Sequence, residues 1–544
     1  MALDFGIDFG TSNLKVAFFD SERKGGFDSI RIANISVDQG SKFLPNIANV
    51  SKEKTRIGRI INGNDETIVR DVKRKIEYTD YEVYVPQRNE HMNILKILSE
   101  EFNCIKGIIQ DRFGGQEIDK IILTVPVCFS ELQKYRMRKA AEEAGFEVDQ
   151  IIIEPFAGLF INPNTLVDNM EDGSCKRVLV FDAGGGTIDL SVFEIFKDQR
   201  MSISVLSSMG MKFGGNDIDD MLYKEVFEKY ENIYQKQIYD NFKRAFLDDE
   251  NIGDEDKKVD SQKYIDNLKY IENKYFYELY ANDVIRFKES ICCSFDYPDE
   301  ESEWISKNGE IVSMSYQQFE EMLEKNGVRL RVQGVLNELV EFAMLEAQDI
   351  DEIILIGGTS NIPYFHKILS DYFTNASFIE LQDDEKYSAV VAGAVSYLEN
   401  KNYTFEIAEK RIPYEIGMFD GDRYVKVRER TTSVGRPSLK RPIICEQKNG
   451  GFKIEVYQLF ASTEGKSDEE IKNDAIYVGY FFLKNDRYGY DPRTIQMDIS
   501  IDERGDIFGR FYNLNDDRYI EDYVEQQRII IDDTKKVSNF IKKS

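Results

Sequence analysis

From Met1 to about Asn400 the chain alternates short apolar runs with longer stretches of helical spacing. That alternation predicts a parallel or mixed sheet covered by helices. The clearest strands are Phe5–Ile7 with Leu14–Phe19, Ile121–Val125, Val178–Phe181, Leu190–Ile195 and Ile353–Ile356. One helix is marked at both ends. Ser130 and Gln133 have capping-box spacing, the body runs Glu131 to Ala144, and Gly145 stands where a C-terminal cap belongs. Residues 221–290 are charged and helical in pattern, broken by the acidic stretch Asp248–Asp260, which predicts a loop.

Beyond Asn400 the texture changes to strand alternation. Tyr424–Val427, Phe452–Leu459, Ile476–Leu483, Thr494–Ile501 and Ile507–Tyr512 are separated by turns such as Asn449-Gly450-Gly451, Asp420-Gly421-Asp422 and Arg504-Gly505-Asp506. This predicts a small all-β unit. The chain therefore divides into an α/β unit over residues 1–400, a linker over 401–412, a β unit over 413–530 and a short charged tail over 531–544.

Composition narrows the function classes. The 70 Lys plus Arg against 98 Asp plus Glu give a formal charge of -28. Such a balance repels phosphate backbones and speaks against nucleic acid as a partner. The six cysteines form no Cys-x-x-Cys unit, and His91 and His366 have no partner at metal-ligand spacing. Reduced thiols are expected, not zinc or disulfides. No apolar run reaches the roughly 18 residues a membrane span needs, and the first residues lack signal-peptide order. A cytoplasmic protein without a membrane partner is expected.

Two segments carry like chemistry. Gly6-Ile7-Asp8-Phe9-Gly10-Thr11-Ser12-Asn13 and Phe181-Asp182-Ala183-Gly184-Gly185-Gly186-Thr187-Ile188-Asp189 each join two strands through a Gly/Thr turn with an acid just before it. Glycine lets backbone N–H groups approach a phosphate with no Cβ in the way, and a threonine hydroxyl adds a donor. An Asp at the strand end can hold the waters of Mg²⁺. Facing each other, the two hairpins would clamp a polyphosphate with its metal. Either alone also reads as a plain β-turn.

A P-loop is the rival way to hold a triphosphate, and it fails. Gly465-Lys466-Ser467 supplies the Lys-Ser pair, but Phe460 stands where the first glycine must be. A third Gly element, Ile353–Ile356 running into Gly357-Gly358-Thr359-Ser360-Asn361-Ile362-Pro363, would let a flat base or ribose lie against backbone at a helix N-terminus.

Together with Asp71-Val72-Lys73-Arg74, Thr124-Val125-Pro126, Ile153-Glu154-Pro155, Lys212–Asp219 and Ala389–Ser396, this ordered set resembles the ATPase domain of the seventy-kilodalton heat-shock (DnaK-type) chaperones from Gly6 to about Leu398. The resemblance implies an α/β, actin-like (duplicated ribonuclease-H-like) domain of two lobes closing on ATP or ADP with Mg²⁺. Asp8 and Asp182 would then face the hydrated metal. Gly10, Thr11, Ser12, Asn13, Gly184, Gly185, Gly186 and Thr187 would line the phosphates, with Gly214 and Gly215 nearby. Lys73 would be the catalytic lysine, and Glu154, Asp182 and Asp189 would orient the metal shell or the attacking water. Outside that match, Lys73 beside Arg74 and Lys75 reads as a solvated face residue.

At the nucleoside end Asp283, Arg286 and Ser290 are expected around the ribose and base, with Gly357, Gly358 and Thr359 opposite. Asn361 stands where the family has an arginine, and Phe287 offers a stacking surface.

The β unit resembles the family's peptide-binding sandwich through Pro413–Gly417, Lys453–Gln458 and Ile499–Ile507. A polypeptide client or a dedicated protein partner is implied, with a co-chaperone and an exchange factor. Phe452 falls at the family's central pocket, the sequence after the last strand gives no helical lid, and Tyr403–Arg411 replaces the family's acidic-leucine linker. Phe405 and Ile407 could still add as a short edge strand. Two other classes remain open: an actin-like filament-forming or plasmid-segregation ATPase, and a nucleotide-dependent interaction module with little turnover.

Overall fold

The computed structural model describes residues 3–20, 29–36, 42–58, 67–78, 81–115, 117–161, 166, 170–198, 201–227, 283–305, 311–400, 405–430, 432–448, 450–460, 462–463, 465–484, 491–502, 505–514 and 521–531. The acidic stretch Asp248–Asp260 and the tail from Asp532 lie outside them.

The chain begins with β1 (Leu3–Phe9) and β2 (Asn13–Phe19), followed by β3 (Ile30–Ile32), β4 (Ile118–Val125) and β5 (Val148–Ile153). These form a six-stranded sheet in the order β5-β4-β1-β2-β3, with Leu44–Pro45 also pairing β2. β1 runs antiparallel to β2 and parallel to β4. A second six-stranded sheet contains β6 (Cys175–Ala183), β7 (Ile188–Lys197), β8 (Met201–Met211), β9 (Glu352–Ile356), β10 (Ser377–Ile379) and β11 (Phe405–Lys410), in the order β10-β9-β6-β7-β8-β11. Here too a hairpin, β6–β7, lies beside a parallel strand, β9. Its first strand is buried continuously from Val178 to Ala183, as a strand covered on both faces must be.

The helices that position the site are α1 (Val72–Lys75), α2 (Ile94–Arg112), α3 (Glu131–Glu143), α4 (Glu154–Leu159), α5 (Gly215–Leu222), α6 (Ile285–Cys293), α7 (Pro363–Tyr372) and α8 (Asp383–Asn400). α3 starts as its sequence dictates: Ser130 Oγ accepts from Gln133 N at 3.2 Å and Gln133 Oε1 accepts from Ser130 N at 2.9 Å. It is followed by Gly145 at φ +81°. α8 serves both sheets. Val391 and Val395 pack on Ala17 of β2, while Ala389, Val390 and Ala394 join the core of Val178 and Val180. Among the described residues no helix is long and apolar enough to cross a membrane.

The remaining strands are β12 (Glu415–Asp420), β13 (Arg423–Arg428), β14 (Gly451–Leu459), β15 (Ile476–Lys484), β16 (Ile495–Ile501), β17 (Ile507–Leu514), β18 (Glu521–Arg528) and β19 (Ile530–Ile531). They form a six-stranded sheet ordered β13-β12-β14-β15-β19, with Glu446–Lys448 on β14, and a four-stranded sheet of Arg441–Pro442, β16, β17 and β18. One core joins the two: Ile416, Phe452, Ile454 and Phe481 from the first meet Ile499 and Phe511 from the second. Phe452 is a buried member of that core.

β11 lies in the segment expected to link the units. It runs parallel to β8 along the edge of the second sheet, pairing Phe405 with Met201 and Ile407 with Ile203. The β unit then packs on α3. The Tyr414 hydroxyl donates to Glu131 Oε1 at 2.7 Å, and Glu131 N donates to Gln458 Oε1 at 2.9 Å. Arg430 lies 4.2 Å over the Phe342 ring and donates to the Phe460 carbonyl at 2.9 Å.

Candidate functional site

The β1–β2 and β6–β7 turns come from different sheets and meet. A Cβ on Gly185 would sit 1.9 Å from Ser12 Oγ, and one on Gly186 would sit 2.4 Å from Thr11 Oγ1. Only glycine permits that approach. Gly10 completes the first turn, its carbonyl accepting from Asn46 Nδ2 at 2.6 Å.

A third turn docks on the second hairpin. Gly215 N donates to the Gly184 carbonyl at 3.0 Å and Asn216 N to that of Gly185 at 2.8 Å. Asn216 ties three segments together: it accepts from the Ser12 hydroxyl at 3.2 Å and donates to Asp71 Oδ1 at 2.7 Å. Thr359 adds a fourth, donating to the Gly184 carbonyl at 2.8 Å.

These turns enclose a cavity of about 390 Å³, the size class of small-molecule sites. Asp8, Gly10, Thr11, Ser12, Asn13, Lys73, Glu154, Asp182, Gly184, Gly185, Gly186, Thr187, Gly215, Gly357, Gly358 and Thr359 all line it. Asp189 stands one layer behind, with Oδ1 accepting from Val127 N at 2.6 Å. Gly214 also stays behind the wall, its N–H donating to Asp217 Oδ2 at 2.7 Å.

Lys73 is buried, not solvated, and its Nζ lies 2.5 Å from Glu154 Oε1. The backbone explains how a Lys-Arg-Lys run reaches the interior. Asp71, just before α1, adopts φ 54° and ψ 35°, a left-handed conformation that Asp tolerates better than most residues. Arg74 is then left to pair Asp217 at 3.0 Å.

The carboxylates are unequal. Burial opposes the charge of Asp8, but Lys15 and Lys73 outweigh it and hold its pKa below the ordinary value. Burial, reinforced by Glu154 and Asp189, pushes Asp182 well above it. Burial and then Glu154 raise Asp189 to about 7. Burial also raises Glu154, against the pull of Lys73. Such a cluster titrates as a unit, and it has room for further positive charge.

Mg²⁺ and a polyphosphate fit what is present. Gly184, Gly185 and Gly186 present backbone without side chains on the cavity wall beside the Thr11 and Ser12 hydroxyls, and Asp189 Oδ2 is buried without a hydrogen-bond partner. Among the described residues no three His, Cys, Asp or Glu cluster as direct metal ligands.

The α6 end of the cavity is lined by residues other than those expected around a nucleoside. Ile285, Lys288, Glu289, Cys292 and Cys293 of α6 line the cavity. Their spacing, i, i+3, i+4, i+7 and i+8, is one helical face. Arg286 and Ser290 fall off that face and are exposed, and Asp283 Oδ1 accepts from Trp304 Nε1 at 3.2 Å. None of the expected trio lines the cavity. Phe287 is a core residue, not a stacking surface. Across the cavity stand Asn361, Ile362, Lys386, Tyr387 and Val390. The Tyr387 ring covers Gly358, where a Cβ would meet it at 2.6 Å.

Lys15 is another cavity residue that motif reading missed. It stands opposite Asp8 in the β1–β2 register, and its Nζ lies 2.8 Å from Asp8 Oδ2. The available signal was a lone cation between Leu14 and Val16 in an apolar strand.

The Hsp70 protein family model matches residues 4–251 and 302–481. Chaperone protein DnaK of Thermoplasma volcanium is 26% identical over 391 residues, covering 68% of this chain and 54% of that protein. Chaperone protein HscA of Buchnera aphidicola is 25% identical over 422 residues, covering 72% of this chain and 69% of its own. Chaperone protein DnaK of Thermotoga maritima is 25% identical over 501 residues, 88% of this chain and 72% of that protein. The family match covers most of the chain and takes in both hairpins, α1, α4 and the first strands of the β unit; the chain belongs to the Hsp70 protein family.

Proposed function

We propose that this protein is a DnaK-like chaperone ATPase that binds and slowly hydrolyses Mg-ATP in the cleft between the two hairpins. On this reading residues 1–400 are a two-lobed actin-like domain, and residues 413–530 are a β-sandwich that takes a polypeptide client or a dedicated protein partner. The protein works in the cytoplasm, with co-chaperone and exchange factor as its helpers. The observation that carries the reading is the contact of Gly185 and Gly186 with Ser12 and Thr11, with the buried Lys73–Glu154 pair beside it.

The chemistry follows from that arrangement. Backbone N–H groups and the hydroxyls of Thr11, Ser12 and Thr187 hold phosphate oxygens. Asp8 and Asp182 would hold a hydrated Mg²⁺, which would supply charge neutralisation on the polyphosphate. Lys73 brings a point charge to the terminal phosphate, and Glu154 fixes its ammonium in place. Asp189, held by Val127 N one layer behind the cavity wall, is proposed to help orient the metal shell or the attacking water. Catalysis is then positioning and charge stabilisation, as phosphoryl transfer requires.

Calorimetric titration of the full chain with Mg-ATP, followed by single-turnover hydrolysis, tests the reading. Binding with slow turnover supports it. Binding without hydrolysis would make the protein a nucleotide-dependent interaction module, and ATP-dependent light scattering would point to a filament.

A further inference from the structure

Lys15 occupies a position that folding alone does not require. A buried ion pair is a weak device for stability, because both charges lose their water and an apolar pair of like volume does as well. Asp8 already has a neutral partner, since the Thr124 hydroxyl donates to its Oδ1 at 3.2 Å. Yet β2 places an ammonium on that same carboxylate, between the fully buried Leu14 and Val16. The remaining 14% exposure of the Lys15 side chain opens on the cavity, in the wall formed by Asp8, Thr11, Ser12 and Lys73.

The location matters because of what the cavity must hold. Asp8, Glu154 and Asp182 face it, and a polyphosphate brings several more negative charges. Something positive has to lie between them. A divalent ion is one solution, and a fixed ammonium is another. An ammonium carries three donors, and Asp8 engages one of them. The same nitrogen therefore has hydrogens to offer phosphate oxygens held by the neighbouring Thr11 and Ser12. Lys73, which lines the same cavity and is paired with Glu154, is the cation already assigned to the terminal phosphate.

We propose that Lys15 is a second phosphate-binding cation of the cleft, an internal counter-ion that lets the site hold a nucleoside polyphosphate without a divalent ion. The proposal rests on the nucleotide reading above. It assigns binding to Lys15 and leaves transition-state stabilisation with Lys73.

The test is calorimetric titration of the full chain with ATP in Mg²⁺ and again in EDTA, for the parent, Lys15→Met and Lys15→Arg. The parent is expected to lose no more than about tenfold in affinity on removing the metal. Lys15→Met is expected to lose about a hundredfold or more in EDTA but less than about tenfold in Mg²⁺. Lys15→Arg restores most of the metal-free affinity. If Lys15→Met fails to fold with Asp8 left uncompensated, the double variant Asp8→Asn with Lys15→Met removes both charges, and its metal-free affinity is expected to fall at least about tenfold below that of Asp8→Asn alone. A parent that loses as much in EDTA as Lys15→Met does overturns the role of Lys15 alone. A parent that binds ATP in neither buffer overturns the nucleotide reading and this proposal with it.

Discussion

Lys73 Nζ and Glu154 Oε1 lie 2.5 Å apart although 81 residues separate them in sequence. The two residues stand on α1 and α4, and each removes the other's cost of burial. Truncating Lys73 therefore has two consequences. Lys73→Ala is expected to lower single-turnover hydrolysis by about a hundredfold or more while ATP affinity stays within a few-fold, because the charge acts chiefly in the transition state. Turnover close to that of the parent would remove Lys73 from the chemistry. The same variant strands Glu154, and thermal melting of apo Lys73→Ala against Lys73→Ala with Glu154→Gln should show the double variant as the more stable.

Asp8 and Asp182 line the cavity from opposite hairpins. The double variant Asp8→Ala with Asp182→Ala is expected to lose the Mg²⁺-dependent part of ATP affinity, so that its affinities in Mg²⁺ and in EDTA converge, and to lose turnover. Calorimetry that finds Mg-ATP affinity and turnover both unchanged would dismantle the clamp.

Burial, then Glu154, raises the Asp189 carboxyl to about 7 in the folded protein. A carboxyl with a raised folded pKa binds its proton more tightly in the native state. Its contribution to stability is full below the ordinary carboxylate range and is lost as pH rises through about 7. The apo protein should therefore weaken between pH about 4 and 7, and Asp189→Asn should flatten that slope. Urea denaturation across this window reads it directly.

Gly357 has φ +81°, and a Cβ there would lie 2.4 Å from the Ala183 carbonyl oxygen and 2.5 Å from Asp182 Oδ1. Both features oppose a side chain. Gly357→Ala is expected to cost about 1–3 kcal/mol of stability and to weaken nucleotide binding through the displaced Asp182. Normal melting and normal affinity together would contradict this geometry.

Ile407 pairs with Ile203 across β11 and β8 and packs against the core that contains Phe156 and Val205. Ile407→Asp places a charge there and should free β11 from the edge. Hydrogen exchange at Ile203 and Val205 is expected to quicken, and ATP should then change peptide affinity less than in the parent. Unaltered protection at those amides would mean that the strand holds without this side chain.

The parts legible in the sequence were those whose chemistry is local. Gly184-Gly185-Gly186 after Asp182, and Ser130 with Gln133, specify a turn and a cap through their own backbone demands. The strands of the β unit were legible for the same reason, since alternation and turn residues sit side by side. What failed needed a rotation or a register. On α6 the cavity face is the side that carries Lys288 toward Gly215 and Asp219, and Asp283, Arg286 and Ser290 lie less than one turn away from it. Lys15 became visible only once the hairpin register set it opposite Asp8. Lys73 was carried by motif likeness, and the left-handed Asp71 that turns it inward has no pattern of its own.

β11 also determines what happens when the chain is divided. The second sheet ends at β8 unless residues 405–410 cover it. A fragment ending at Asn400 would keep every cavity residue yet present the backbone of Met201–Val205 as an open edge. Open edges recruit strands from other molecules. Such a fragment should therefore self-associate at high concentration, and a separately made piece beginning at residue 401 should suppress that association by returning the missing strand.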